Sequence, residues 1–201
     1  GTQRAILTAM SRRNRPGLSR ERVLQAGLKL VDDEGTSALT MRRLGKELGV
    51  EAMSLYTYVS SKQDLLDGVL ECVYLEMPKV IPVDGPWQER VRSAARSFRQ
   101  VLLRHPNVVA LLAARPVRSE GSLNLVEGSL AELRSVGLSL EQADRVLSLI
   151  VSFTIGHVAS EVGDSHDRPF DAVDAYNGLN SERFPNVAER AALGTPDRDA
   201  E

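Results

Sequence analysis

Apolar residues recur along this chain at three- and four-residue steps, and not at the two-residue step of a half-buried strand. The first stripe, Val23, Leu24, Gly27, Leu28, Leu30 and Val31, predicts a helix over 19–34. Ser19 can cap it, Glu21 suits its first turn, and Gly35 closes it. Two short helices follow within residues 39–62, LTMRRLGKELGVEAMSLYTYVSSK. Thr40 can cap the first, and Leu39 and Leu44 flank that cap at the spacing of a hydrophobic staple. Leu44 and Leu48 share a face, and Gly49 supplies the left-handed residue that ends the helix. Val50 and Leu55 repeat the staple spacing around Glu51, so a second helix starts at once. Two short helices joined by a tight glycine turn predict a helix-turn-helix, whose second helix enters the major groove of DNA.

The same period organises the remainder. Ser61-Lys62-Gln63-Asp64 reads as a capping box opening a helix through Leu65, Leu66, Val69, Leu70 and Val73, which Pro78 and Pro82 end. An amphipathic helix runs from Trp87 to Arg104, where His105-Pro106 breaks it. A short apolar helix covers 108–114, and another covers about 121–136, stopped by Gly137. A capping box at Ser139–Gln142 opens a helix to about Val162 that is almost wholly apolar from Val146 to Ile155. That all-round character predicts burial on more than one side, at a subunit interface or a ligand pocket. Residues 163–180 are polar with few helical cues, 181–193 form one more short helix, and 194–201 read as a loop. The expected class is all-α, with about nine helices. The expected organisation is a basic arm at 1–18, a helix-turn-helix module at 19–62 and a helical body at 63–201.

Composition narrows the function. With 42% hydrophobic and 26% charged residues in 201, the chain has the balance of a globular protein with a real core. The single cysteine, Cys72, excludes an intrachain disulfide framework and reads as a buried structural thiol in a reducing cytoplasm. Three scattered histidines form no local metal cluster, so neither metal nor cofactor is expected. No apolar run approaches the ~20 residues of a membrane span, and the start lacks a signal-peptide layout. The net charge of −2 conceals an asymmetry: residues 1–62 carry eleven Lys/Arg against six Asp/Glu, the rest fourteen against twenty-one. A basic front and an acidic rear suit a chain that offers one end to nucleic acid. Arg12, Arg13 and Arg15 in the arm can lie along phosphates or form a solvated tail, and both readings stand.

The outer side of the second short helix carries Ser54, Tyr56, Thr57 and Tyr58, with Ala52 and Met53 near its start. These groups can touch base edges, a thymine methyl or phosphate oxygens. Arg42 and Arg43 sit in the first turn of the preceding helix, where a cation opposes the helix dipole, so they read as facing a polyanion. Lys62 follows the second helix. The bland alternative is a polar helical hairpin with solvated charges. An enzyme would need a site built from Asp164, Ser165, His166 and Asp167, a polar run without a phosphate cradle or nucleophile elbow, so no enzyme is expected.

The stretch VLQAGLKLVDDEGTSALTMRRLGKELGVEAMSLYTYVSSKQDLLDGVL resembles the DNA-binding domain of the tetracycline-repressor (TetR) family. Pro86-Trp87-Gln88, Ser97-Phe98-Arg99, Leu103-Arg104-His105, Ala114-Arg115-Pro116, Val136 to Ser139 and Ser152 to Gly156 are similar to the C-terminal domain of its tetracycline-repressor branch. The resemblance implies a homodimeric, ligand-responsive repressor of a palindromic operator. On matching positions it implies Thr40, Arg42, Ala52, Met53, Ser54, Tyr56, Tyr58 and Lys62 as DNA contacts. Ala52-Met53 departs from the tetracycline repressors, which implies a different operator. Leu111 stands where those repressors place a metal-ligating histidine, and Met77-Pro78 stands where another is expected. The implied effector is therefore a small, mostly apolar molecule held without metal, with Trp87, Phe98, Leu102, Leu111, Arg115, Phe153 and His157 as candidate contacts. The plainer alternative for each apolar member is core packing. His157 reads more simply as a core or interface histidine, and Arg115 as a helix-end arginine. The family would continue with a further dimer-forming helix, so the sequence is expected to be shortened. The second functional reading is a DNA-binding dimer whose body serves only dimerisation or protein contacts.

Overall fold

The computed structural model describes residues 17–78, 86–163 and 180–192. The expectations for the basic arm, for the proline loop at 79–85, for the polar run holding Asp164 to Asp167 and for the tail at 193–201 lie outside those residues. The chain divides into two units, residues 1–158 and 159–201. Every element described is helical: α1 (Arg20–Glu34), α2 (Met41–Leu48), α3 (Ala52–Leu55), α4 (Lys62–Leu75), α5 (Trp87–Arg104), α6 (Val109–Ala114), α7 (Glu120–Ser135), α8 (Leu140–Gly163) and, in the second unit, α9 (Pro185–Ala192). Single 3₁₀ turns at Thr36–Ala38 and Pro106–Val108 link α1 to α2 and α5 to α6.

The caps explain these boundaries. The Ser19 hydroxyl accepts the Arg22 N–H at 3.2 Å and the Ser61 hydroxyl accepts the Asp64 N–H at 3.1 Å, each satisfying an orphan donor of a first turn. At α8 the box is reciprocal: Gln142 N–H donates to Ser139 Oγ at 3.2 Å, and Ser139 N–H donates to Gln142 Oε1 at 2.8 Å. At α4 the returning carboxylate lands one residue early. Asp64 Oδ2 accepts the N–H (2.7 Å) and hydroxyl (3.1 Å) of Ser60, while Oδ1 accepts from Arg20 at 2.7 Å.

Helix α1 packs along α4, and α2 and α3 lie against each other at its side. Val23, Val31, Leu39, Leu44, Leu55, Leu65, Val69 and Val73 are fully buried in this N-terminal core. Helices α5 and α6 bury Phe98, Val101, Leu102, Val109 and Leu112, with Val108 between them. Burying each such side chain contributes about 1.5–3 kcal/mol, against about 0–1 for an exposed ion pair, so apolar packing holds both parts together. Helix α7 packs on α4, where Glu71 Oε1 accepts the Gly121 N–H at 3.3 Å.

Helix α8 departs from expectation. Within this chain it buries Ala143, Thr154 and Val158, while Leu149 is 71% exposed and Phe153 69%. Burial on more than one side is not met by the chain's own packing. By length and composition alone, Leu140–Val162 is also apolar enough to cross a membrane, contrary to the expectation that no apolar run approaches that length.

Candidate nucleic-acid interface and its attachment to the body

The α2–α3 corner is built from four local decisions. Thr40 Oγ1 accepts the Arg43 N–H at 3.1 Å and starts α2. Leu39 and Leu44, on either side of that cap, are both fully buried, as the staple spacing requires. Gly49 adopts φ 69, ψ 34, the left-handed conformation in which a Cβ is costly, and Val50 N–H then reaches back to Gly45 O at 2.9 Å. Gly45 permits the second helix to approach: a Cβ there would lie 2.8 Å from Val50 O and 3.2 Å from Ala52 N.

Helix α3 is shorter than the sequence pattern implies. Four residues are α-helical, and i→i+3 bonds from Tyr56, Thr57 and Tyr58 then tighten the chain into a turn. Leu55 and Val59 are buried and fasten this element to the core. Its other side points outward: Met53 is 76% exposed and Tyr56 46%, with Ser54 and Thr57 exposed beside them. Ala52 and Tyr58 are half-buried, while Thr40, Arg42 and Lys62 are exposed. The candidate DNA contacts are therefore exposed or half-buried, and among them Arg43 is engaged within the module. Its guanidinium bonds Glu34 at the end of α1 and Glu47 one turn along α2, the latter at 2.9 Å. Those bonds, Glu34 first, hold Arg43 above its ordinary pKa. Arg42 is exposed and has no ion-pair partner among the described residues.

This pairing belongs to a wider pattern. Helix α1 ends in Asp32, Asp33 and Glu34, three acids where the dipole disfavours them. Each meets a cation or donor: Glu34 meets Arg43, Asp33 meets Lys29, and Asp32 meets His105. His105 Nδ1 lies 2.9 Å from Asp32 Oδ2, and its Nε2 lies 2.9 Å from Glu76 Oε1 just beyond α4. Arg104 donates to Glu76 Oε2 at 2.8 Å, and Asn107 Nδ2 donates to Asp32 O at 2.9 Å. Sequence reasoning took His105 only as a helix break. The acidic run at a helix end was the available signal that cations from elsewhere converge there.

The candidate ligand contacts disperse. Phe98 and Leu102 are buried core residues of α5, while Trp87 and Leu111 are half-buried. Phe153 and His157 stack on the open side of α8, with ring centroids 5.8 Å apart and planes 8° from parallel. Arg115 grips α4, donating to Asp67 Oδ1 at 2.5 and 3.1 Å and to Gln63 Oε1 at 2.6 Å. A cavity of about 10 Å³ beside it, lined by Leu70, Tyr74 and Pro116 among others, has room for about one water. Of the seven candidates only Arg115 lines it. Burial raises the Tyr74 hydroxyl above its ordinary pKa and pushes the Cys72 thiol up to about 11, so neither is poised to ionise near neutrality. Among the described residues, no three His, Cys, Asp or Glu side chains are placed to share a metal ion.

Comparison with known proteins agrees with this geometry. Residues 23–69 match the model of the bacterial regulatory proteins of the tetR family, and residues 81–200 match that of the tetracyclin repressor-like C-terminal domain. The chain is 32% identical over 155 residues to the HTH-type transcriptional repressor DrrR1 of Streptomyces coeruleorubidus, covering 76% of this chain and 57% of the relative. It is 34% identical over 147 residues to the class D tetracycline repressor of Escherichia coli, covering 72% and 66%. The chain thus spans less than two thirds of the length of these relatives. Among solved structures it is similar to ActR of Streptomyces coelicolor in complex with actinorhodin, with 29% identity, a TM-score of 0.81 and coverage of 92% and 90%.

Proposed function

Because the chain belongs to the tetracycline-repressor (TetR) family, we propose that it is a homodimeric, ligand-responsive repressor that binds a palindromic operator. The observation that carries this reading is the outward edge of α3. Met53 and Tyr56 stand exposed on an element whose Leu55 and Val59 are fixed in the core. Large side chains exposed on an anchored element, with an Arg42 that has no ion pair among the described residues, suit base-edge contact flanked by phosphate contact. Thr40, Arg42, Lys62 and the exposed α3 residues are the proposed contacts. Arg43 supports them indirectly, by tying α2 to α1.

Dimerisation follows from α8. Its open apolar side fits a second copy of the chain, which places two α3 elements in successive major grooves about 34–36 Å apart. The proposed effector is a small, largely apolar molecule, a reading supported by the complex of ActR with actinorhodin. It binds without a metal, since Leu111 offers no ligand atom. An effector that fits a dimer with the wrong groove spacing better shifts the population away from DNA; a coupling of about 1–3 kcal/mol weakens binding about 5–150-fold. The protein acts in the cytoplasm and performs no chemistry on its ligand.

The second reading, a DNA-binding dimer whose body serves only dimerisation or protein contacts, is favoured by one observation: Phe98 and Leu102 are packed core residues. Selecting bound duplexes from a random pool tests the main claim, with recovery of a two-fold symmetric site expected. Failure to enrich any duplex at low salt refutes it. Release of the selected duplex by an apolar compound without magnesium separates the first reading from the second.

A further inference from the structure

The joint between α1, the end of α4 and the corner after α5 holds one imidazole with a carboxylate at each nitrogen. His105 is 9% exposed, and both contacts are 2.9 Å. Carboxylates accept only, so both contacts are hydrogen bonds only when both ring nitrogens carry protons. A neutral ring would turn a lone pair toward one carboxylate at the same distance. We propose that His105 is a proton-operated latch: as the imidazolium it fastens α1 and the end of α4 to the α5 corner, and losing one proton releases Glu76.

The charged groups around the ring decide which contact opens. Asp32 faces it from α1 and Glu76 from the end of α4, while Arg104 of α5 binds the other Glu76 oxygen at 2.8 Å. Asp33, beside Asp32, is taken up by Lys29. Glu76 therefore keeps a cation after the ring lets go, and its side chain, 35% exposed, has access to water. Among the described residues Asp32 has no second cation, and its side chain is the less exposed of the two, at 26%. Its second oxygen, Oδ1, is buried without a partner among the described residues, and burial raises its carboxyl above the ordinary value. The remaining proton accordingly stays on Nδ1, toward Asp32, and the bond from Nε2 to Glu76 is the one lost.

Helix α4 starts at Lys62, three residues after Val59 anchors the α3 turn, and ends against this latch. Opening it leaves the far end of α4 tied to the α5 corner by the Arg104–Glu76 pair alone. The proposal stands apart from the DNA-binding reading, and its test uses no DNA.

The ring states are read on the full chain with ¹⁵N-labelled histidine by long-range proton–nitrogen spectra, His105 being assigned through His157→Gln and His166→Gln. Across a series from about pH 5 to 9, both His105 nitrogens should be protonated at the acid end, and Nε2 should be the one to lose its proton while Nδ1 keeps one. Amide protection of residues 74–77, corrected for the intrinsic pH dependence of exchange, should fall several-fold across the same interval. In parallel, the wild-type Tm should drop by roughly 2–4 °C between those pH values relative to His105→Gln, which has no ring to titrate. A neutral ring at the lower pH, a ring in one state throughout, or protection at 74–77 indifferent to the titration overturns the proposal. If His105→Gln does not fold, the wild-type spectra and exchange decide alone.

Discussion

Gly45→Ala adds one methyl group where α2 meets the start of α3. The new Cβ would stand 2.8 Å from Val50 O, 3.2 Å from Ala52 N and 3.3 Å from Ala52 Cα. All three obstacles are backbone atoms, so no side-chain rotation relieves them. To reach an ordinary 3.4 Å contact, the start of α3 must retreat by about 0.6 Å. Replacing a mid-helix glycine by alanine otherwise gains roughly 0.5–1 kcal/mol, while forcing a methyl into packed surroundings costs roughly 1–3 kcal/mol. The overpacking wins here, for a net loss of about 1–2 kcal/mol and a Tm drop of about 2–8 °C in a chain of this size. The retreat also carries Met53, Ser54 and Tyr56 off their positions, so affinity for a selected duplex should fall tenfold or more, about 1.4 kcal/mol. Thermal unfolding and fluorescence anisotropy with a labelled duplex measure the two effects. Gly128→Ala in α7 is the control, since its Cβ meets nothing within 4 Å and should stabilise by roughly 0.5–1 kcal/mol. A Gly45→Ala protein as stable and as tight-binding as the parent would refute the reasoning.

Arg42→Ala should reduce the slope of log affinity against log salt by about one unit, whereas Arg43→Ala should lower the melting temperature and leave that slope unchanged, both read from salt titrations and thermal melts. Leu102→Ala should cost about 2–5 kcal/mol in denaturant unfolding, because the side chain is fully buried; an effect confined to effector affinity would reinstate it as a pocket residue. Leu149→Arg should convert dimer to monomer in sedimentation without loss of helical circular dichroism, and a monomeric parent would show α8 has another use. Cys72 should resist alkylation at about pH 8 until denaturant is added, since burial favours the neutral thiol; fast labelling of the native protein would contradict its burial.

What could be read from the sequence was whatever three or four neighbouring residues decide. Ser19, Thr40 and Ser61 cap where their spacing places them, the Ser139–Gln142 box closes both ways, and Gly49 is left-handed. The outward set on α3 was legible because Leu55 and Val59 mark the opposite side. The length of α3 was not, since its closing 3₁₀ bonds leave no signature in hydrophobic spacing. Partners set far off in sequence were also out of reach. Arg115 reads as a helix-end arginine until Asp67 and Gln63, 48 and 52 residues earlier, are seen beside it. His105 reads as a break until Asp32, 73 residues back, is brought to its ring. Helix α8 shows the converse, because its apolar sequence predicts burial that the chain's own packing does not provide.

Placing the anchors of α3 on one side and its free side chains on the other separates two demands on the same few residues. Exchanges at Met53, Ser54 or Tyr56 leave Leu55 and Val59 untouched, so their mutational cost to folding is small. On the proposed DNA-binding reading, descendants of such a gene drift to new control sites one substitution at a time, each intermediate still a well-folded protein.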